Sequence, residues 1–188
     1  MKTIQEIEKY AHDNFVPIAR KPLVDFLINQ ISQNGYKTML EVGTGIAYTC
    51  ISLCLNSQIC IKTIEHSKPR YDLSLQNIND FNLEKRIEIF FGDAEKMEFN
   101  GNFDIIFIDA AKLKNQLFFD KFSPLLSKNG IIIIDNMDLS DFEKYVSRTK
   151  FLKYKKANDD LIEYLSNLKN FSMEYLNIGD GILFLKRK

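Results

Sequence analysis

The chain has 188 residues, of which 25 are basic and 25 acidic, so its formal net charge is zero. With 45% hydrophobic and 27% charged residues it has the composition of an ordinary soluble globular protein, which excludes a mainly disordered or collagen-like chain. At this length about 70% of the unfolded surface can be buried without disulfide staples, and a zero net charge advertises no whole-chain affinity for nucleic acid, although a local basic patch would survive that average.

The start, MKTIQEIEKYAHDN, is polar and amphipathic and lacks the apolar centre of an export signal. Apolar residues recur at helical spacing over 3–14 and 20–34, giving two helices punctuated by Pro17 and Pro22. A strand–helix alternation then begins. TMLEVG (38–43) is a short strand ending in glycine, 46–56 a helix, and ICIKTIE (59–65) a second strand. Ser67 and Pro69 open a helix that runs to about Asn82. RIEIFFGD (86–93) and FDIIFIDA (103–110) are the third and fourth strands. A helix over 114–127, ended by Asn129-Gly130, precedes a fifth strand, IIIID (131–135). A polar helical region, 138–169, leads into two strands around a Gly179-Asp180-Gly181 turn, an antiparallel hairpin.

Strands this apolar, alternating with helices, imply a parallel sheet covered on both faces and joined by right-handed crossovers. The expected fold is α/β: a doubly wound, mostly parallel, seven-stranded Rossmann-like sheet with N-terminal helices and a C-terminal antiparallel hairpin. A single domain is expected over 1–188, with helices in 1–36 and the core in 37–188. The longest apolar runs, such as IIII at 131–134, are strand-sized, so no membrane span is expected. Cys50, Cys54 and Cys60 are odd in number and have only His66 nearby, which reads as buried free thiols in a reducing cytoplasm rather than a zinc site.

In such sheets ligands bind beyond the carboxyl ends of the strands. Those ends read Glu41-Val-Gly43-Thr-Gly45, Glu65, Gly92-Asp93-Ala94, Asp109-Ala-Ala-Lys112 and Asp135-Asn136. Gly43 and Gly45 permit a tight turn and close approach of a ligand. Glu65, about twenty residues on, can accept hydrogen bonds from ribose hydroxyls. Dinucleotide folds use the same device, but Tyr48 stands where a third glycine would, and a tyrosine there would crowd a pyrophosphate. An adenosine ligand without phosphates is therefore expected, S-adenosylmethionine being the common one. Asp109, Asp135 and Asn136 offer three oxygen ligands at two neighbouring strand ends, a set suited to Mg²⁺ or another divalent cation completed by water or substrate oxygens.

With MLEVGTGIAYT, TIE, GDA, FIDAAK and IIIDNM in order, the sequence resembles the metal-dependent O-methyltransferases of the catechol and caffeoyl-CoA type. Within that group NFVPI (14–18), the D-A-A-K run and the terminal IGDG are most similar to the bacterial tRNA 5-hydroxyuridine methyltransferases. The resemblance implies that Asp109, Asp135 and Asn136 hold the metal and that Glu65 binds the ribose. It implies further that Glu41 and Thr49 line the methionine end, Val16 the entrance and Asp93-Ala94 the adenine, with Lys112 catalytic beside Asp109. It also implies a homodimer. Ala47 departs from the family's glycine, which puts the shape of that loop in question.

The acceptor is expected to be a wobble 5-hydroxyuridine in a tRNA anticodon loop, converted to 5-methoxyuridine. Lys144, Arg148, Lys150, Lys153, Lys155 and Lys156, with Arg20, Lys21 and Lys114, would hold phosphates at the site mouth, and Phe151 and Tyr154 would stack a base or pack inward. The alternative is a small catechol-like hydroxylated aromatic. A non-catalytic nucleotide-binding or NAD-dependent protein is the competing class, against which Tyr48 and the Asp109, Asp135 and Asn136 set argue.

Overall fold

The computed structural model describes residues 2–140 and 142–188. Its strands are β1 (Thr38–Val42), β2 (Cys60–Glu65), β3 (Ile87–Phe91), β4 (Phe103–Ile108), β5 (Leu126–Ile134), β6 (Phe171–Leu176) and β7 (Ile182–Arg187). Its α-helices are α1 (Ile4–Asp13), α2 (Lys21–Asn34), α3 (Tyr48–Asn56), α4 (Lys68–Asp80), α5 (Asn115–Phe122) and α6 (Arg148–Ser166). The strands form one sheet in the order β3-β2-β1-β4-β5-β7-β6. β1 to β5 run parallel, and β7 is antiparallel to both β5 and β6. This is the doubly wound α/β fold expected from the alternation, with its hairpin on one edge. Strand order reverses between β1 and β4, which opens a crevice at their carboxyl ends.

The central strands read as unbroken apolar runs because they are covered on both faces. Ile105 to Ile108 and Ile131 to Ile134 are all 0% exposed. Alternate side chains enter different cores. Met39, Ile105, Phe107, Ile131 and Ile133 pack with residues of α1, α2 and α3. Leu40, Val42, Ile106, Ile108, Ile132 and Ile134 pack with α5 and α6. Apolar side chains fill both faces of these strands, and most of the polar residues collect at the strand ends.

Three expectations change. α5 ends at Phe122, because Pro124 allows only a 3₁₀ turn over Ser123–Leu125. Asn129-Gly130 ends no helix but lies inside β5; a Cβ on Gly130 would sit 2.7 Å from the Asp104 carbonyl oxygen, beside a register shift between Phe103 and Ile105. The region 138–169 is continuously helical only as α6, which Ser147 caps by accepting from the Lys150 N–H at 3.3 Å; a 3₁₀ turn, Phe142–Tyr145, precedes it. Asp141 of that region lies outside the described residues. The cysteines are free, but only Cys50 and Cys54 are buried; Cys60 opens β2 and is exposed. Among the described residues no helix is long and apolar enough to cross a membrane.

One cation ties the far end of α3 to the sheet. Arg86 donates from Nη1 to the Cys54 carbonyl (2.9 Å), from Nη2 to Ser57 and Ile59 (both 2.7 Å) and from Nε to Ile59 (3.2 Å). It satisfies carbonyls that the end of a helix leaves orphaned. Arg86→Ala is expected to lower the unfolding free energy by about 2–4 kcal/mol in urea denaturation. Arg86→Lys should recover only part of that, because a point charge cannot reproduce the guanidinium fork.

Candidate active site

A cavity of about 890 Å³ opens at the carboxyl ends of the parallel strands. Its first half is built over β1, β2 and β3. Gly43 takes φ 106°, and a Cβ there would lie 2.1 Å from the Asp109 carbonyl oxygen, so only glycine lets the end of β1 meet the end of β4. Glu65 is 3% exposed yet lines the cavity. The Gly45 N–H donates to one of its oxygens at 2.9 Å and the Ser67 N–H to the other at 2.8 Å. These bonds hold the carboxylate still and leave lone pairs for a ligand's hydroxyls. Asp93 and Ala94 line the same half. Ala47 adopts φ 65°, so the loop keeps the left-handed turn that a glycine would take freely, at a cost of about 1–2 kcal/mol.

Tyr48 lines the cavity beside the glycine turn, and its hydroxyl donates to Glu8 on α1 at 2.7 Å, so the phenol also anchors that helix.

The second half lies over β4, β5 and the start of β7. The Asn136 Nδ2 donates to Asp109 Oδ1 at 2.8 Å, and the Asn136 N–H to Asp135 Oδ1 at 2.7 Å. Lys112 Nζ donates to the Asn136 carbonyl at 3.3 Å. Asn136 has φ 65°, a conformation asparagine tolerates better than most residues. Burial pushes the Asp109 carboxyl up, against the pull of Lys112. Burial pushes Asp135 up as well, and the charge of Asp109 adds to it. Burial lowers the Lys112 ammonium, while Asp135 and Asp109 hold it up.

Two neighbouring carboxyls raised by burial, with the charge of Asp109 acting on Asp135, are a donor set that suits a cation. Among the described residues no three His, Cys, Asp or Glu side chains converge as a metal cage. The donors are instead two carboxylates and a carboxamide, whose amide must turn to present Oδ1. This set fits a hard divalent ion that keeps water or acceptor oxygens in its remaining positions.

Most of the residues singled out at the strand ends line the cavity, among them Gly43, Thr49, Glu65, Asp93, Ala94, Asp109, Lys112, Asp135 and Asn136. Glu41 and Val16 do not. Glu41 is 1% exposed behind the cavity, where it accepts from Cys50 Sγ (2.7 Å) and Thr63 Oγ1 (2.5 Å). Val16 closes α1, its N–H donating to the Ala11 carbonyl at 2.8 Å, and its side chain packs on the core. Its neighbours Pro17, Ile18 and Ala19 line the cavity instead.

Several lining residues were not anticipated, among them Arg70, Asp180 and Phe142. Asp180 read only as a turn residue, and Phe142 only as part of a polar helix. The basic residues do not assemble as one free patch. Lys155 pairs with Asp159 (2.7 Å), Lys156 with Asp160 (2.8 Å), Arg20 with Asp180 (3.1 Å) and Lys114 with Glu95. Of that set only Lys114 lines the cavity. Phe151 is half-buried, and Tyr154 packs its ring 5.0 Å from that of Phe142.

A family model described as O-methyltransferase matches residues 4–188. A caffeoyl-CoA O-methyltransferase from Stellaria longipes is 24% identical, the match covering 88% of this chain and 73% of that protein. A Staphylococcus aureus structure described as a candidate caffeoyl-CoA O-methyltransferase superposes with a TM-score of 0.89 at 29% identity, over 100% of this chain and 93% of that one. An O-methyltransferase from Bacillus cereus, solved in complex with SAH, shares the fold with a TM-score of 0.82 at 24% identity, over 100% of this chain and 92% of that one.

Burial raises the Glu41 carboxyl to about 8, against the bonds from Cys50 and Thr63. An acid whose pKa is raised on folding stays protonated in the folded state while the unfolded chain ionises. Stability therefore falls as pH rises from the unfolded value of 4.5 towards 8. Glu41→Gln keeps the volume and an acceptor but cannot titrate. Its melting temperature, followed between pH 5 and pH 8, should decline less steeply than that of the wild type; parallel curves would show that Glu41 does not titrate across this window.

Proposed function

The chain belongs to the O-methyltransferase family, and on that premise we propose that it moves the methyl group of S-adenosylmethionine to a ring hydroxyl standing beside a second ring oxygen, with 5-hydroxyuridine in a tRNA anticodon loop as the acceptor. The observation that carries this reading is the meeting, in one cavity, of the Gly43–Gly45 turn and Glu65 with Asp109, Asp135, Asn136 and Lys112. The first group suits an adenosine; the second suits a cation chelated by two neighbouring oxygens of an acceptor.

When bound, S-adenosylmethionine supplies an electrophilic sulfonium methyl group, and a divalent cation supplies the Lewis acidity that lowers the pKa of the acceptor hydroxyl. Asp109, Asp135 and Asn136 would hold that cation. Glu65 accepts from the ribose hydroxyls, and the Gly45 and Ser67 N–H groups keep its carboxylate oriented while it does so. Lys112, tethered to the Asn136 carbonyl, would take the acceptor's proton at Nζ as the neutral amine, a form that burial favours by lowering its ammonium. Phe142 gives the acceptor ring an apolar wall. A base in a single-stranded loop can enter such a cavity without melting a duplex.

A small catechol-like acceptor is the second reading. The caffeoyl-CoA relatives favour it, as does the pairing of Lys155 and Lys156 with aspartates of their own helix. Three measurements test the proposal. Glu65→Ala should weaken S-adenosylhomocysteine binding in calorimetry by about 1.5–3 kcal/mol, roughly 10- to 150-fold. Asp135→Ala should lose turnover while its circular dichroism stays that of the wild type, and full activity in excess EDTA would remove the cation from the mechanism. An anticodon stem-loop carrying 5-hydroxyuridine should be methylated; turnover of catechol with none of the stem-loop would select the second reading.

A further inference from the structure

The acceptor half of the cavity has two acids at its floor and a charged pair at its rim. Asp109 and Asp135 lie buried at the floor. Asp180 lines the same half nearer the surface, and there it meets Arg20. The Arg20 Nε–H points at both carboxylate oxygens, at 3.1 Å and 3.2 Å. Only that edge of the guanidinium is used: neither Nη atom donates to another described residue. Most of the N–H donors of an arginine sit on those two nitrogens.

The position of Arg20 is well held. Its carbonyl accepts from the Leu23 and Val24 N–H groups at 2.9 Å and 3.2 Å, which starts α2. The hairpin turn packs directly on it, since a Cβ on Gly179 would lie 3.4 Å from Arg20 Cβ. The residues just before it, Pro17 to Ala19, line the cavity. The side chain is nevertheless 62% exposed. A half-exposed ion pair of this kind contributes little to stability, so stability gives little reason for building it. What the pair does achieve is orientation. A carboxylate holds the Nε edge, and the fork that matches an oxyanion is left unspent at the cavity rim.

We infer that Arg20, oriented by Asp180, binds an anionic group that the acceptor carries on the side of its ring away from the reacting hydroxyl. The floor attracts a cation and the rim attracts an anion, so the cavity is matched to a ligand with neighbouring oxygens at one end and a phosphate at the other. A nucleotide has that polarity and plain catechol does not. A carboxylate on a small aromatic acid presents the same chemistry as a phosphate, so the test separates the two sources. The inference rests on the methyl-transfer reading for the identity of its ligand, but not for its readout.

The experiment compares wild type, Arg20→Gln and Arg20→Lys with four acceptors: 5-hydroxyuridine 5′-monophosphate, the 5-hydroxyuridine nucleoside, 3,4-dihydroxybenzoate and catechol. Binding is followed by calorimetry and turnover by methyl transfer. Arg20→Gln should raise Kd and KM for the monophosphate by about tenfold or more. It should leave the nucleoside, catechol and S-adenosylhomocysteine unchanged, and Arg20→Lys should recover part of the loss. A loss confined to 3,4-dihydroxybenzoate assigns the anion to a carboxylate and upholds the role of Arg20. Equal losses for charged and neutral acceptors, or none for either, overturn it. If no acceptor is methylated while the Kd values still separate by charge, the methyl-transfer reading fails and the anion site stands.

Discussion

The cavity depends on how closely β1 and β4 meet at their carboxyl ends. Gly43 has no side chain, and the Asp109 carbonyl occupies the space where one would be. The ladder continues across the same line: the Asp109 N–H donates to the Val42 carbonyl at 2.9 Å, and the Asp135 N–H to the Ile108 carbonyl at 3.0 Å. The ends of three neighbouring strands are thereby kept in step. The adenosine-like half and the cation-like half of the site share one wall, and that wall is backbone. A side chain at residue 43 would separate them.

Depth carries an electrostatic cost. Glu41, Asp109 and Asp135 are all carboxyls raised by burial within one fold. The chain offsets the cost in different ways. Glu41 sits behind the cavity in a closed set of hydrogen bonds with Cys50 and Thr63, and Thr63 continues to Thr44 at 2.7 Å. Asp109 and Asp135 have Asn136 and the partly buried Lys112 beside them, which compensates only one of two charges. Two carboxyls at such depth with one ammonium between them is the costliest arrangement of charge in the fold.

The acceptor side is assembled from segments far apart in the chain. The stretch before α2 and the β6–β7 turn are 160 residues apart at Arg20 and Asp180, yet they meet on the rim. The turn is also sewn to the segment after β5, where the Met137 N–H donates to Gly181 O at 2.9 Å and the Asp138 N–H to Asp180 O at 2.8 Å. Placing β7 antiparallel between β5 and β6 is what delivers the turn there.

The sequence by itself determined the strands, the helices and the polar residues at the strand ends. Those signals are local: isoleucine runs, glycines and period-3.6 patterns report burial and backbone freedom at their own positions. Most of the residues chosen on that basis, with Asn136 among them, do line the cavity. What lay beyond it was direction. Glu41 and Gly43 stand two residues apart, but the glutamate, still within β1, is held by Cys50 and Thr63, whereas the glycine lies past the end of the strand and meets the Asp109 carbonyl. Asn129-Gly130 carries a local turn signal that the Asp104 carbonyl and the β4 ladder override. The lysines of α6 read as a basic run until the helix brings aspartates four residues on into pairing distance. Arg20 and Asp180 have no local signal for each other at all. Their contact is decided by sheet order and by the packing of one turn on one helix start, which only the tertiary structure supplies.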